Sequence, residues 1–239
     1  MSKARSSVAA CLGAVAGLLA VMPSASATTP SLLLNKATMG KGETISGAGG
    51  AGTLVTLASE VLAIKCTGAS FKGTLTSTTE GSGSAVATGC GDSGGEKCQS
   101  GTTSGEITVA SGPVRAIYDE TTPALGVGVL LTNSGVIVVK CTGGLINPTI
   151  EIKGSLIVLA KPVNVEVESL EVVATESKGD AVDVNYWETT EQITKNEGKK
   201  ALLLTKIGSS GQFESSGGLS SATISEFNGK TKQKVEAMG

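Results

Sequence analysis

The stretch Pro162-Val163-Asn164-Val165-Glu166-Val167-Glu168-Ser169-Leu170-Glu171-Val172 sets three valines against asparagine and two glutamates, then shifts phase so that Leu170 and Val172 take up the apolar positions. A period of two is the signature of a strand with one face covered, and the phase slip at Ser169 predicts a bulge. Val182, Val184 and Tyr186 alternate in the same way with Asp183, Asn185 and Trp187. More uniformly apolar runs, Val136 to Val139 and Leu156 to Ala160, read as strands covered on both faces. Clusters of Gly, Ser, Thr and Asn punctuate the chain about every ten residues, the spacing of short antiparallel strands. The chain has 33 glycines, and each one inside a helix would cost about 1 kcal/mol, which argues against long helices. The expectation is an all-β fold of about ten or more antiparallel strands, a β-barrel or a two-sheet β-sandwich, with a slight preference for the barrel.

The N-terminus reads differently. Lys3 and Arg5 precede a small and apolar run from Val8 to Met22, Pro23 breaks it, and Ala25-Ser26-Ala27 supplies small residues ahead of a cleavage point. This is the pattern of a signal peptide spanning 1–27, followed by one all-β domain over 28–239. The run is shorter than the roughly 20 residues a membrane-crossing helix needs, and no later segment would span. Cys11 stands at the start of the apolar run, whereas a lipidated cysteine follows it. Loss of Lys3 and Arg5 with the leader takes the formal charge from −2 to −4. That mild acidity gives no field for nucleic acid, so the expected partners are a cell-wall or extracellular glycan or protein, and the expected location is secreted or at the cell surface. With three Phe, two Tyr and one Trp, the core has to be built from aliphatic side chains.

Two segments echo one another: Ala63-Ile64-Lys65-Cys66-Thr67-Gly68 and Val138-Val139-Lys140-Cys141-Thr142-Gly143. They read as two similar strand-turn-strand units. Gly/Ser/Thr-rich stretches at Ser77 to Ser84 and Ser209 to Ser221 read as exposed loops. Lys230, Lys232 and Lys234 read as a solubilising edge or a frayed tail.

Cys66-Thr67-Gly68, Thr88-Gly89-Cys90, Lys97-Cys98-Gln99-Ser100, Gly105-Glu106-Ile107-Thr108, Gly126-Val127-Gly128-Val129, Cys141, and Gly154-Ser155-Leu156-Ile157 ahead of Pro162-Val163-Asn164 together carry a resemblance. Over nearly the whole mature length the chain resembles a family of secreted, cysteine-containing β-proteins found in many copies in soil actinobacteria, a family without an assigned function. The resemblance implies an exported bacterial β-protein and supplies no catalytic residues.

Gly91-Asp92-Ser93-Gly94-Gly95 matches the nucleophile segment of chymotrypsin-like serine proteases. A serine of that kind needs a histidine to take its proton, and the chain has none. Glu96 also stands where that family usually has proline. The segment is therefore read as a chance match, a Gly-rich turn closing a hairpin from Cys90 to Cys98. The lack of histidine also removes the commonest metal ligand and acid-base group, so no metal, no cofactor and no enzymatic activity are expected. Carboxylate-based glycoside hydrolysis survives these exclusions, with Asp119 and Glu120 or Asp183 and Glu188 as pairs lacking a spacing signature. A carbohydrate-binding module is the other alternative: Trp187 faces outward beside Asn185 and Asp183 if Val182, Val184 and Tyr186 face the core. The leading expectation is a non-enzymatic structural or interaction role.

In an exported chain the four cysteines beyond the leader are expected as disulfides. Of the three pairings they allow, Cys66–Cys141 and Cys90–Cys98 are chosen. The first would join the two echoing units if these are adjacent, and the second would close the Gly-rich hairpin.

Overall fold

The computed structural model describes residues 30–49, 55–59, 62–119, 127–133, 135–143, 147–174, 185–187, 192–194, 199–200 and 203–238. The expected leader 1–27, Asp183, Glu120, Glu188 and Gly126 lie outside the described residues. Every regular element among these residues is a strand.

β1 (Ser31–Leu34) and β2 (Ala37–Thr38) stand apart in a small sheet. The main sheet begins with β3 (Thr44–Ala48) and β4 (Val55–Ser59), which lie one after the other along the same neighbours and act as one long stave. The next staves are built in the same way: β5 (Ala63–Cys66) with β6 (Gly68–Leu75), then β7 (Glu80–Thr88) with β8 (Gly91–Asp92). β9 (Lys97–Gln99) with β10 (Glu106–Asp119) and β11 (Val127–Asn133) with β12 (Ile137–Thr142) follow. The sixth stave is the unbroken β13 (Thr149–Lys161). The seventh begins as β14 (Leu170–Ala174) and resumes as β18 (Leu203–Ile207), with β15 (Asn185–Trp187), β16 (Gln192–Thr194) and β17 (Lys199–Lys200) inserted between them. The eighth is β19 (Gln212–Phe227), after which β20 (Lys230–Thr231) and β21 (Val235–Met238) end the chain.

Each stave pairs antiparallel with the next through two ladders, one near each end. β19 then pairs with both β3 and β4, which closes the ring. The all-β expectation is met, and the closure makes the fold an up-and-down barrel of eight staves. An eight-stranded barrel has an interior just wide enough for side chains to fill.

Two apolar clusters share that interior, one toward each end. Leu170, Val172, Ile224, Phe227 and Val158 form the first, with Ile45, Phe71, Leu75 and Leu219 packed on it. Met39 and, from β21, Val235 and Ala237 close this end; β21 pairs with β1, so the small sheet caps the barrel. Ile64, Ile107, Val139, Ile150 and Ile152 form the second cluster together with all four described cysteines. The C-terminal segment is thus part of a core and not a frayed tail. Lys234 lies 3.5 Å from Glu168 there, and Asn35 donates to Gln233. On the outside of β6 stand Ser70, Lys72 and Thr74, all exposed, while Phe71 and Leu75 pack on the core. That is the reverse of the apolar-out pattern of a transmembrane barrel. No helix among the described residues is long and apolar enough to cross a membrane.

Four expectations about particular segments need correction. Val163 to Ser169 is not a regular strand: Asn164 adopts a left-handed φ of 57°, and the segment touches β21 only through the bridges Val163–Ala237 and Val167–Val235. Val165 is consequently 50% exposed, and regular pairing begins only at Leu170. Val136 to Val139 is not covered on both faces, because Val136 and Val138 point outward while Val139 is fully buried. The stretches read as loops, Ser77 to Ser84 and Ser209 to Ser221, run largely through β7 and β19. In β7 a small residue suits close strand contact: a Cβ on Gly83 would lie 2.5 Å from the Lys72 carbonyl oxygen. By contrast the neighbours Ile157 and Val158 are both buried, as a strand covered on both faces requires, with Leu159 half-buried and Ala160 buried beyond them.

Candidate functional site

The stapled end of the barrel is set by one turn. Gly91 pairs with Lys97 across the β8–β9 hairpin, and Cys98 N–H donates to the Cys90 carbonyl at 3.1 Å. Within the turn the Asp92 carboxylate accepts from Gly94 N–H and Glu96 N–H, both at 2.9 Å, while Gly95 N–H donates to the Asp92 carbonyl at 3.1 Å. This is the local side-chain-to-backbone bonding that makes aspartate a turn residue. Gly95 takes a φ of 84°, which a residue with a Cβ rarely adopts. Ser93 is exposed at the tip. The Gly-Asp-Ser-Gly-Gly segment is thus a hairpin turn whose acid is occupied by backbone amides. Glu96 Oε2 is buried beside it without a hydrogen-bond partner among the described residues.

The hairpin lies between the two echoing units. β5 pairs with β8, and β9 pairs with β12, so the lateral order is β5, β8, β9, β12. Cys98 is directly opposite Cys141. Cys66 comes opposite Cys90, because Lys65↔Gly91 in one ladder and Gly68↔Thr88 in the next keep the same register across the gap between them. The four cysteines therefore form one lateral row on the inner face, each 2% exposed or less. The disulfides are Cys66–Cys90 and Cys98–Cys141, with Cα separations of 3.9 and 4.0 Å.

The expected pairing, Cys66–Cys141 with Cys90–Cys98, is therefore overturned. Three inter-strand steps separate Cys66 from Cys141, about 14 Å at the usual strand spacing, and a disulfide spans Cα atoms up to about 7 Å apart. The echoing units flank the hairpin and do not touch, and they are not two similar strand-turn-strand units: β5 runs on into β6 along one stave, whereas β12 pairs antiparallel with the strand that follows it, β13. On the chain-entropy account, loops of separation 24 and 43 are worth about 3.5 and 4 kcal/mol.

The residues expected as a glycan platform are only partly placed. The backbones of Asn185 and Trp187 belong to β15, which pairs with β16 and β17, and Asp183 lies outside the described residues. Asp119 ends β10, with its backbone opposite Ile193 of β16. Among the described residues no group of three or more Cys, Asp or Glu is placed to hold a metal ion. What the sequence reading missed is a third Lys-Cys pair, Lys97-Cys98, alongside Lys65-Cys66 and Lys140-Cys141; the repeated dipeptide was its visible signal.

Comparisons with protein-family models, with curated proteins and with solved structures found no match.

Proposed function

We propose that the chain is an exported barrel that binds or builds outside the cytoplasm and does not catalyse. The observation that carries this reading is the filled interior. At the stapled end Ile64, Val139, Ile150 and two buried cystines occupy the space that an enclosed reaction chamber would need, and at the other end the cap seals Phe227 and Leu170 from solvent. Function then falls to the outer surface and the turns. The leader-like pattern of 1–27 and the two disulfides support an oxidising, extracytoplasmic location. The test is a panel of ester, peptide and glycoside substrates on purified disulfide-intact protein. No turnover above background is expected, and turnover that disappears with Ser93→Ala would refute the reading.

A further inference from the structure

Three Lys-Cys dipeptides lie on β5, β9 and β12. Successive side chains of a strand point to opposite faces. Burial of Cys66, Cys98 and Cys141 therefore sends Lys65, Lys97 and Lys140 outward, and all three lysines are exposed. The cystine row inside the barrel is mirrored by a lysine cluster outside it.

Register fixes the layout. Lys65, Gly91, Lys97 and Thr142 are successive partners in one lateral row. Lys65 and Lys97 thus stand two strand spacings apart, about 9.5 Å, on either side of a glycine that offers no side chain. That glycine is imposed by the hairpin, since a Cβ there would lie 2.9 Å from the Glu96 carbonyl oxygen. Lys140 sits opposite Gln99, diagonal to Lys97 at about 7–8 Å.

None of the three lysines joins the ion pairs of the described residues, which are Arg115–Glu80, Lys161–Glu171, Lys206–Glu151 and Lys234–Glu168. The acids around them are turned away or occupied. Asp92 holds the turn amides, Glu96 shares the inward face of Cys98, and Glu151 on β13 is 3.7 Å from Lys206. Glu106, half-buried at the start of β10, is the remaining described acid nearby. Three exposed cations thus stand together on one face of a chain of formal charge −2. Among the cations stand exposed Thr142 and Thr149, and Val138, which is 43% exposed.

We propose that this outer face binds a carboxylated polysaccharide lying across the strands over Gly91. Ammonium groups suit its carboxylates as point charges, threonine hydroxyls suit sugar hydroxyls, and Val138 offers an apolar surface for the C–H face of a ring. The face has no arginine, the side chain best shaped for two-pronged phosphate contacts. The proposal rests on the binding reading above and names its ligand class.

Affinity electrophoresis of the disulfide-intact protein through gels containing alginate, uncharged dextran or polyphosphate tests it. Alginate retards the protein and dextran does not. The triple variant Lys65→Glu/Lys97→Glu/Lys140→Glu abolishes the retardation, the triple Lys→Arg variant keeps it, and Lys161→Glu at the capped end leaves it unchanged. Single Lys→Gln variants, each weakening binding severalfold, decide the matter if the triple variant fails to fold by circular dichroism. Absence of retardation by alginate, retardation indifferent to the three lysines, or stronger retardation by polyphosphate each overturns the proposal. None of these outcomes produces substrate turnover, so failure here is distinct from failure of the non-catalytic reading.

Discussion

Cys98 lies directly opposite Cys141 on adjacent antiparallel strands, and their disulfide ties the Gly-rich hairpin to the second of the two echoing units. Peptide mapping without reduction is expected to recover Cys98 linked to Cys141 and Cys66 linked to Cys90. The double variant Cys98→Ala/Cys141→Ala should lose about 4 kcal/mol of unfolding free energy in denaturant titrations. Recovery of a Cys66–Cys141 peptide from native protein would show that the lateral order of these strands is wrong.

Gly47 on β3 is pinned between two strands. A Cβ there would come within 2.2 Å of the Thr223 carbonyl oxygen on β19 and 2.5 Å of the Phe71 ring on β6. The first neighbour is backbone and cannot swing aside, so the seam that closes the barrel would have to open. Gly47→Ala should cost about 3 kcal/mol or more, at the upper end of overpacking effects. Gly101→Ala, where nothing lies within 4 Å, is the control and should shift the midpoint little. Equal midpoints for the two variants would argue against the β3–β19 closure.

The all-β class was legible because alternation and turn spacing are local properties of the chain. Particular strands were less so. Val163, Val165 and Val167 show the cleanest alternation in the sequence, yet left-handed Asn164 and the docking of β21 break the ladder there. The Ser/Gly-rich length of β19 looks like a loop until its partners β4, β14 and β18 are known. The echo around Cys66 and Cys141 was visible, but the hairpin inserted between its copies was a long-range fact. Lys65, Lys97 and Lys140 became a cluster only through that insertion. In the sequence only the repeated Lys-Cys dipeptide marks them.

Asn228 joins the last barrel turn to β3. Its φ is 52°, its Oδ1 accepts from Thr44 N–H at 2.8 Å, and its Nδ2 donates to Glu43 Oε1 at 2.9 Å. Asn228→Gly keeps the left-handed backbone accessible and loses only the side-chain bonds, for a cost of about 1 kcal/mol. Asn228→Ala loses the bonds and adds left-handed strain, for about 2 kcal/mol. Chemical denaturation should rank wild type above Gly and Gly above Ala. The reverse order of the two variants would mean that the turn does not hold this conformation.

Asp92 and Ser93 are neighbours with opposite expected sensitivities. If the segment were a nucleophile loop, Ser93 would be the residue that matters, and its replacement would abolish an activity while leaving stability intact. In the hairpin the Asp92 carboxylate accepts two amide hydrogens that the turn cannot otherwise satisfy, whereas Ser93 projects into solvent. Asp92→Ala should therefore cost about 1–2 kcal/mol, roughly what two surface hydrogen bonds to a charged acceptor contribute after exchange with water. Ser93→Ala should stay within about 0.5 kcal/mol of wild type, as exposed substitutions do. Equilibrium unfolding of the two variants, with the disulfides intact in both, measures the contrast directly. An insensitive Asp92 together with a destabilising Ser93→Ala would assign the turn to the wrong side chain.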